Sequence, residues 1–124
     1  MTQTKIMTGA ELKVRLGALG LPPGWFAARM EVTMRTVVRW FDSDVVSEEV
    51  AWHVNVLSDK TLDEMLAMID KVSDEGDVVL KTYRTDGNVL SKHGQWPASW
   101  HRQLTFRVME HLEAQDRDVT IEYL

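Results

Sequence analysis

Apolar positions in the first part of the chain recur every three or four residues, the spacing of a buried helical stripe. Leu12, Leu16 and Leu19 share one such face. Ahead of them, Thr8-Gly9-Ala10-Glu11 has the Ser/Thr-x-x-Glu form that satisfies orphan amides of a first turn, so a helix is predicted after Thr8, with a stop at Gly20. Pro22-Pro23 cannot lie inside a helix, but a first turn accepts Pro, which places a second helix from about Pro23 to Met30. Thr33 suits the N-cap of a third helix, Met34 to Phe41, which Asp42-Ser43-Asp44 ends. Ser47-Glu48-Glu49 opens a fourth, with Val50, Val54 and Leu57 on one side. Thr61-Leu62-Asp63-Glu64 repeats the capping pattern and predicts a fifth, with Leu62, Leu66, Ile69 and Val72 as its stripe. Ser73-Asp74-Glu75-Gly76 then marks a boundary.

Beyond it the period changes. Residues 78–84 (Val-Val-Leu-Lys-Thr-Tyr-Arg) are rich in β-formers and predict a strand with Val79, Lys81 and Tyr83 on one side. Thr85-Asp86-Gly87-Asn88 is turn chemistry, after which Val89-Leu90 can return as a hairpin strand. Pro97 opens a helix with Trp100, Leu104, Val108 and Leu112 four apart, and Val119, Ile121 and Tyr123 alternate in a closing strand. The expected fold is mainly α: a five-helix domain over 1–72, then a small strand–helix–strand (α+β) region over 77–124. Two strands alone leave edges unpaired, so this tail is expected to pair two copies of the chain as a homodimer.

The chain has 124 residues, 44% of them hydrophobic, and no Cys, which excludes a disulfide scaffold, a thiolate metal site and a cysteine nucleophile. No 18-residue apolar run and no secretory core are present, so the expectation is a soluble, cytoplasmic domain with no membrane partner. A net charge of −5 disfavours a phosphate-gripping protein, yet the distribution is uneven. Residues 1–41 carry six basic and two acidic side chains, whereas 42–124 carry eight and seventeen.

The basic segment contains the one constellation with a demanding pattern. Two short helices crossing steeply, as in a helix-turn-helix, need apolar residues at fixed places. Counted from Pro23, the fourth, eighth, tenth, fifteenth and eighteenth places hold Phe26, Met30, Val32, Val37 and Trp40, and the fifth, which must be small, is Ala27. The ninth place, commonly Gly because the backbone there is left-handed, is Glu31. The segment Leu19-Gly20-Leu21, then Phe26-Ala27, then Met30 through Trp40 without a gap, resembles the Cro/xenobiotic-response-element (XRE) helix-turn-helix family. The resemblance covers about residues 8–72. It departs after Trp40, where Phe41 and Ser43 replace the usual Glu and Gly. Element order and length resemble the YdiL-like and anti-CRISPR-associated (Aca) branch.

That resemblance implies a dimeric, often autoregulatory, repressor of phage or bacterial origin that binds double-stranded DNA at an inverted-repeat operator and needs no cofactor. It implies that the second motif helix enters the major groove and presents Thr33, Met34, Arg35, Thr36, Val38 and Arg39. Arg35 and Arg39 can each donate two parallel hydrogen bonds to a guanine, Met34 or Val38 can touch a thymine methyl, and Thr33 or Thr36 can bind a phosphate. Lys13 and Arg15 are candidate phosphate contacts that set register without reading bases. RNA binding by the same surface stays open, and so does an alternative: a protein-interaction module on a helix-turn-helix scaffold without DNA binding.

Catalytic chemistry finds no support. His53, His93, His101 and His111 lack the spacing of a zinc site, and His111 beside the apolar stripe reads as a packed residue. Glu48-Glu49 and Asp63-Glu64 stand at predicted helix starts, where the dipole favours them. There is no Gly-rich phosphate loop and no G-x-S-x-G elbow, so neither enzyme nor metal protein is expected.

Overall fold

The structure is a computed structural model that describes residues 6–86 and 95–124. The chain is mainly helical with one small sheet: α1 (Gly9–Ala18), α2 (Pro23–Met30), α3 (Met34–Phe41), α4 (Glu48–Asp70), β1 (Val78–Thr82), α5 (Ala98–Glu113) and β2 (Val119–Tyr123). It divides into two compact units, Met1–Asp59 and Lys60–Leu124. Among the described residues no helix is long and apolar enough to cross a membrane.

In the first unit the caps act as the sequence predicts. Thr8 Oγ1 accepts from the Glu11 amide at 3.0 Å, Ser47 Oγ accepts from Val50 at 3.2 Å, and Gly20 leaves α1 with φ 70°. Leu12, Leu16, Phe26, Val37, Val54 and Leu57 are fully buried and form the core. One glycine is decisive. A Cβ on Gly9 would lie 2.3 Å from the Trp40 carbonyl oxygen, 2.5 Å from that of Phe41 and 2.6 Å from that of Ser43. The Gly9 amide itself donates to Ser43 O at 3.0 Å, and Val46 N–H returns a bond to Met7 O at 2.9 Å. Bare backbone at Gly9 therefore lets the start of α1 close onto the carbonyl end of α3.

The fourth and fifth predicted helices are one helix, so among the described residues four helices precede the sheet, not five. Thr61 does not cap a new helix: its buried hydroxyl accepts a 2.8 Å bond from the Trp100 indole while α4 runs past it. The stripe is displaced as well, since Leu62 and Leu66 are exposed and Thr61 and Met65 are the buried residues. The division between the two compact units falls between Asp59 and Lys60, inside α4.

The second unit is a β–α–β arrangement. β1 and β2 pair in parallel, Val78 opposite Val119 through Thr82 opposite Tyr123. The buried face of β1 is Val78, Leu80 and Thr82, so Val79 and Lys81 form its outer side, and Tyr83 is buried just past the strand end. The predicted stripe Trp100, Leu104, Val108 and Leu112 is fully inward on α5. Trp96 stacks on Trp100 at 4.2 Å, and the Asp86 carboxylate accepts from the Ala98 amide at 2.7 Å, supplying the cap that Pro97 cannot. Arg117 fastens the turn after α4 through Ser73 O at 2.9 Å and Gly76 O at 3.0 Å. His111, expected to be packed and hydrogen-bonded, is exposed, with its Nε2 3.4 Å from Gln115 Nε2. The Val89-Leu90 strand lies outside the described residues.

Two outcomes follow from this packing. Gly9→Ala should destabilise the protein by about 1–3 kcal/mol, the range for overpacking a tight contact, read as a lower urea midpoint with unchanged slope. Burial, and after it the Glu64 carboxylate, push the Tyr83 phenol above its ordinary 10.0. The neutral phenol is favoured by the fold, so its contribution is complete below the unfolded-state pKa and is lost as pH rises through the higher folded value. Urea midpoints should fall above about pH 10, and the fall should be shallower in Tyr83→Phe.

Candidate nucleic-acid interface

The site is the outward side of α3, and the residues that aim it lie beneath. Val37 is fully buried, Ala27 admits α3 against α2, and Phe26 meets Trp40 edge-on at 6.5 Å. Met30, Val32 and Trp40 are half-buried at the margin of that contact. The connection from α2 to α3 is three residues long, and its first, Glu31, takes the left-handed conformation, φ 57° and ψ 40°. Its amide bonds Ala28 O at 3.2 Å and the Val32 amide bonds Ala27 O at 3.0 Å, so α2 is closed off and the chain turned within one residue. Thr33 then caps α3, accepting from the Thr36 amide at 3.2 Å.

Residues on an α-helix advance by about 100° each, so with Val37 and Trp40 inward, Arg35, Val38 and Arg39 centre on the opposite side. All three are exposed, as is Met34 at the edge of the same face. Among the described residues neither the Arg35 nor the Arg39 guanidinium has an ion-pair or hydrogen-bond partner. Their ten donors are therefore open to a ligand. Thr33 and Thr36 share a 3.0 Å hydroxyl–hydroxyl contact, which occupies one O–H and leaves the other free to donate to an anion.

The structure does not bring Lys13 and Arg15 together. Two places apart on α1, they are separated by about 200° of rotation and flank the buried Leu12–Leu16 stripe on opposite sides. Lys13 is exposed and Arg15 half-buried. Charge is also less segregated than the sequence split implies. The unit Met1–Asp59 holds six basic and seven acidic residues, because Asp42, Asp44, Glu48, Glu49 and Asp59 belong to it. Any attraction for phosphate has to come from placement on α3 and α1, not from net charge.

Three residues bear on the face without having been singled out by the sequence. Gly9 sets where the end of α3 lies. Gly24 passes beneath Met34, with its absent Cβ 3.6 Å from the Met34 sulfur. Arg29 adds an exposed cation in the last turn of α2. Only Arg29 carried a legible signal, its charge within the basic segment. Among the described residues no three His, Asp or Glu side chains converge on a point that could hold a metal ion. No protein-family model matches the chain, and no curated protein shows significant similarity to it.

The left-handed Glu31 yields a direct test of this geometry. A residue with a Cβ there costs roughly 1–2 kcal/mol, and Gly returns about 0.4–1 kcal/mol of that through its more disordered unfolded state. Glu31→Gly should therefore raise stability by about 0.5–1 kcal/mol in urea titrations, while Glu31→Ala should give no such gain.

Proposed function

We propose that this protein is a sequence-specific DNA-binding transcription regulator of the Cro/XRE type, a dimeric repressor that reads an inverted-repeat operator with α3. The observation that carries the reading is the outward side of α3. Two unpaired guanidiniums and two apolar side chains share that face, which rests on a buried Val37 and is entered through a left-handed turn. Such a face matches the donor, acceptor and methyl pattern of a major groove, where Arg pairs with guanine and an apolar side chain meets a thymine methyl. Lys13 and Arg15, on opposite flanks of α1, reach separate phosphates and fix register.

In vitro selection from a random duplex library at moderate salt tests this. The expected product is a palindrome with half-site centres roughly one helical turn, or a multiple of it, apart. Affinity should fall steeply with rising salt, which an apolar protein contact would not show. Arg35→Ala and Arg39→Ala should each cost about 1–3 kcal/mol on the selected site and relax its base preference, while Lys13→Ala weakens all sequences alike. Unaltered affinity and specificity in the double Arg variant, with an unchanged circular dichroism spectrum, would refute the assignment.

A further inference from the structure

We infer that the free edge of β2 is the seam at which a second copy of this chain joins, strand antiparallel to strand, about a two-fold axis through Ile121. The inference rests on the dimeric reading above and gives it an address.

In a parallel ladder alternate residues turn both amide and carbonyl toward the neighbouring strand. The bonds Val78 N–H to Asp118 O and Leu124 N–H to Thr82 O fix the phase here: even-numbered residues of β2 face β1, and Val119, Ile121 and Tyr123 face away. Among the described residues the backbone groups of these three have no partner. Side-chain cover tells the same story. On the helix side of the sheet Val78, Leu80 and Thr82 of β1 are buried, while their register partners Val119 and Ile121 are only half-buried and Tyr123 is 50% exposed. The other edge of the sheet is a poorer seam. There β1 turns out only Val79 and Lys81, and a lysine on an edge is a common guard against strand addition.

Charge selects the register. If Ile121 stands opposite the partner's Ile121, then Val119 meets the partner's Tyr123, an aromatic against a β-branched side chain, and Glu122 meets the partner's Thr120. Sliding by two residues in one direction sets Glu122 against the partner's Glu122; sliding in the other sets it against the partner's Asp118. Like charges directly opposite are destabilising, so both shifted registers are penalised. The preferred register is also the one in which all three outward residues pair, each pair exchanging two bonds. Lys81, at 2.6 Å from Glu122 across the β1–β2 ladder, already neutralises the outer face beside the seam.

The absence of Cys allows a clean test, since a single introduced thiol can cross-link only between chains. At the two-fold position the Cα atoms of a hydrogen-bonded antiparallel pair lie about 5.5 Å apart, within disulfide reach. At position 119 the two copies are offset by four residues, roughly 14 Å, and cannot link. Under mild oxidation the full chain carrying Ile121→Cys should form a covalent dimer at least about tenfold faster than Val119→Cys or, on the β1 edge, Val79→Cys. Ile121→Pro removes an outward N–H and no β1 ladder bond, so it should weaken the dimer at least about tenfold in light scattering with an unchanged circular dichroism spectrum. A monomeric intact chain at tens of micromolar, equal linking at all three positions, or faster linking from Val79→Cys overturns the seam. A dimeric chain that links elsewhere and still selects a palindrome overturns the seam alone. Rapid Ile121→Cys linking without palindromic selection leaves the seam standing and removes the operator reading.

Discussion

The approach of the Gly9 backbone to the carbonyl end of α3 is the constraint on which the first unit depends. Three carbonyl oxygens, of Trp40, Phe41 and Ser43, stand where a side chain on residue 9 would be, and one of them takes the Gly9 amide. Ser43 lies two places beyond the last residue of α3, so this bond ties the segment that leaves the helix to the start of α1 and holds the helix end in place from just outside it. At the other end of α3 the Thr33 hydroxyl and the left-handed Glu31 do the corresponding work. An eight-residue helix has little stability of its own, and α3 is ordered because both ends and its inner face are held from outside. Its outer face is thereby free of structural duty, and side chains there can be chosen for what they bind.

The second unit is held differently, through bonds between buried polar side chains, two of which span long sequence separations. The Trp100 indole needs an acceptor once buried and finds it in Thr61. Thr82 Oγ1 lies 2.8 Å from His101 Nδ1, and the Thr105 hydroxyl donates to His101 O at 2.6 Å. An imidazole and hydroxyls buried this completely are costly unless satisfied, so the Thr82–His101 bond specifies one placement of α5 over β1 where apolar packing alone would accept several, while the Thr105–His101 bond is made within α5 itself.

Those same bonds separate what was legible in the sequence from what was not. The α2–α3 pair could be read because its rules are local: Phe26, Ala27 and Val37 have the required sizes at the required spacings, and Thr33 is a strong cap. Even the left-handed residue fell where Gly is customary, with Glu31 bearing the strain. The capping pattern at Thr61 misled because it is equally local, while the residue that claims the Thr61 hydroxyl lies 39 positions on. The strand β1 could be read from its β-formers, but not which face it buries, because Val78-Val79-Leu80 is apolar throughout and a run without alternation does not fix its phase. The burial of Thr82, a polar side chain, carried no local signal because its partner, His101, is also distant. On the candidate interface, the resemblance named Arg35 and Arg39, which are exposed, while the two-place spacing of Lys13 and Arg15 already placed them on opposite flanks of α1.

The parallel pairing of β1 with β2 has a consequence in time. Antiparallel neighbours can close a ladder as soon as a turn has been made, but Lys81 meets Glu122 only after 41 further residues have been added. During synthesis β1 emerges with both edges open, and α5 follows with Trp100, Leu104 and Val108 still lacking part of their cover. Residues 1–59, the whole of the first unit, have been added before any strand of the second is complete. Each nascent chain therefore passes through an interval in which the second unit is incomplete and adhesive. The rate at which residues 83–118 are translated sets how long that interval lasts.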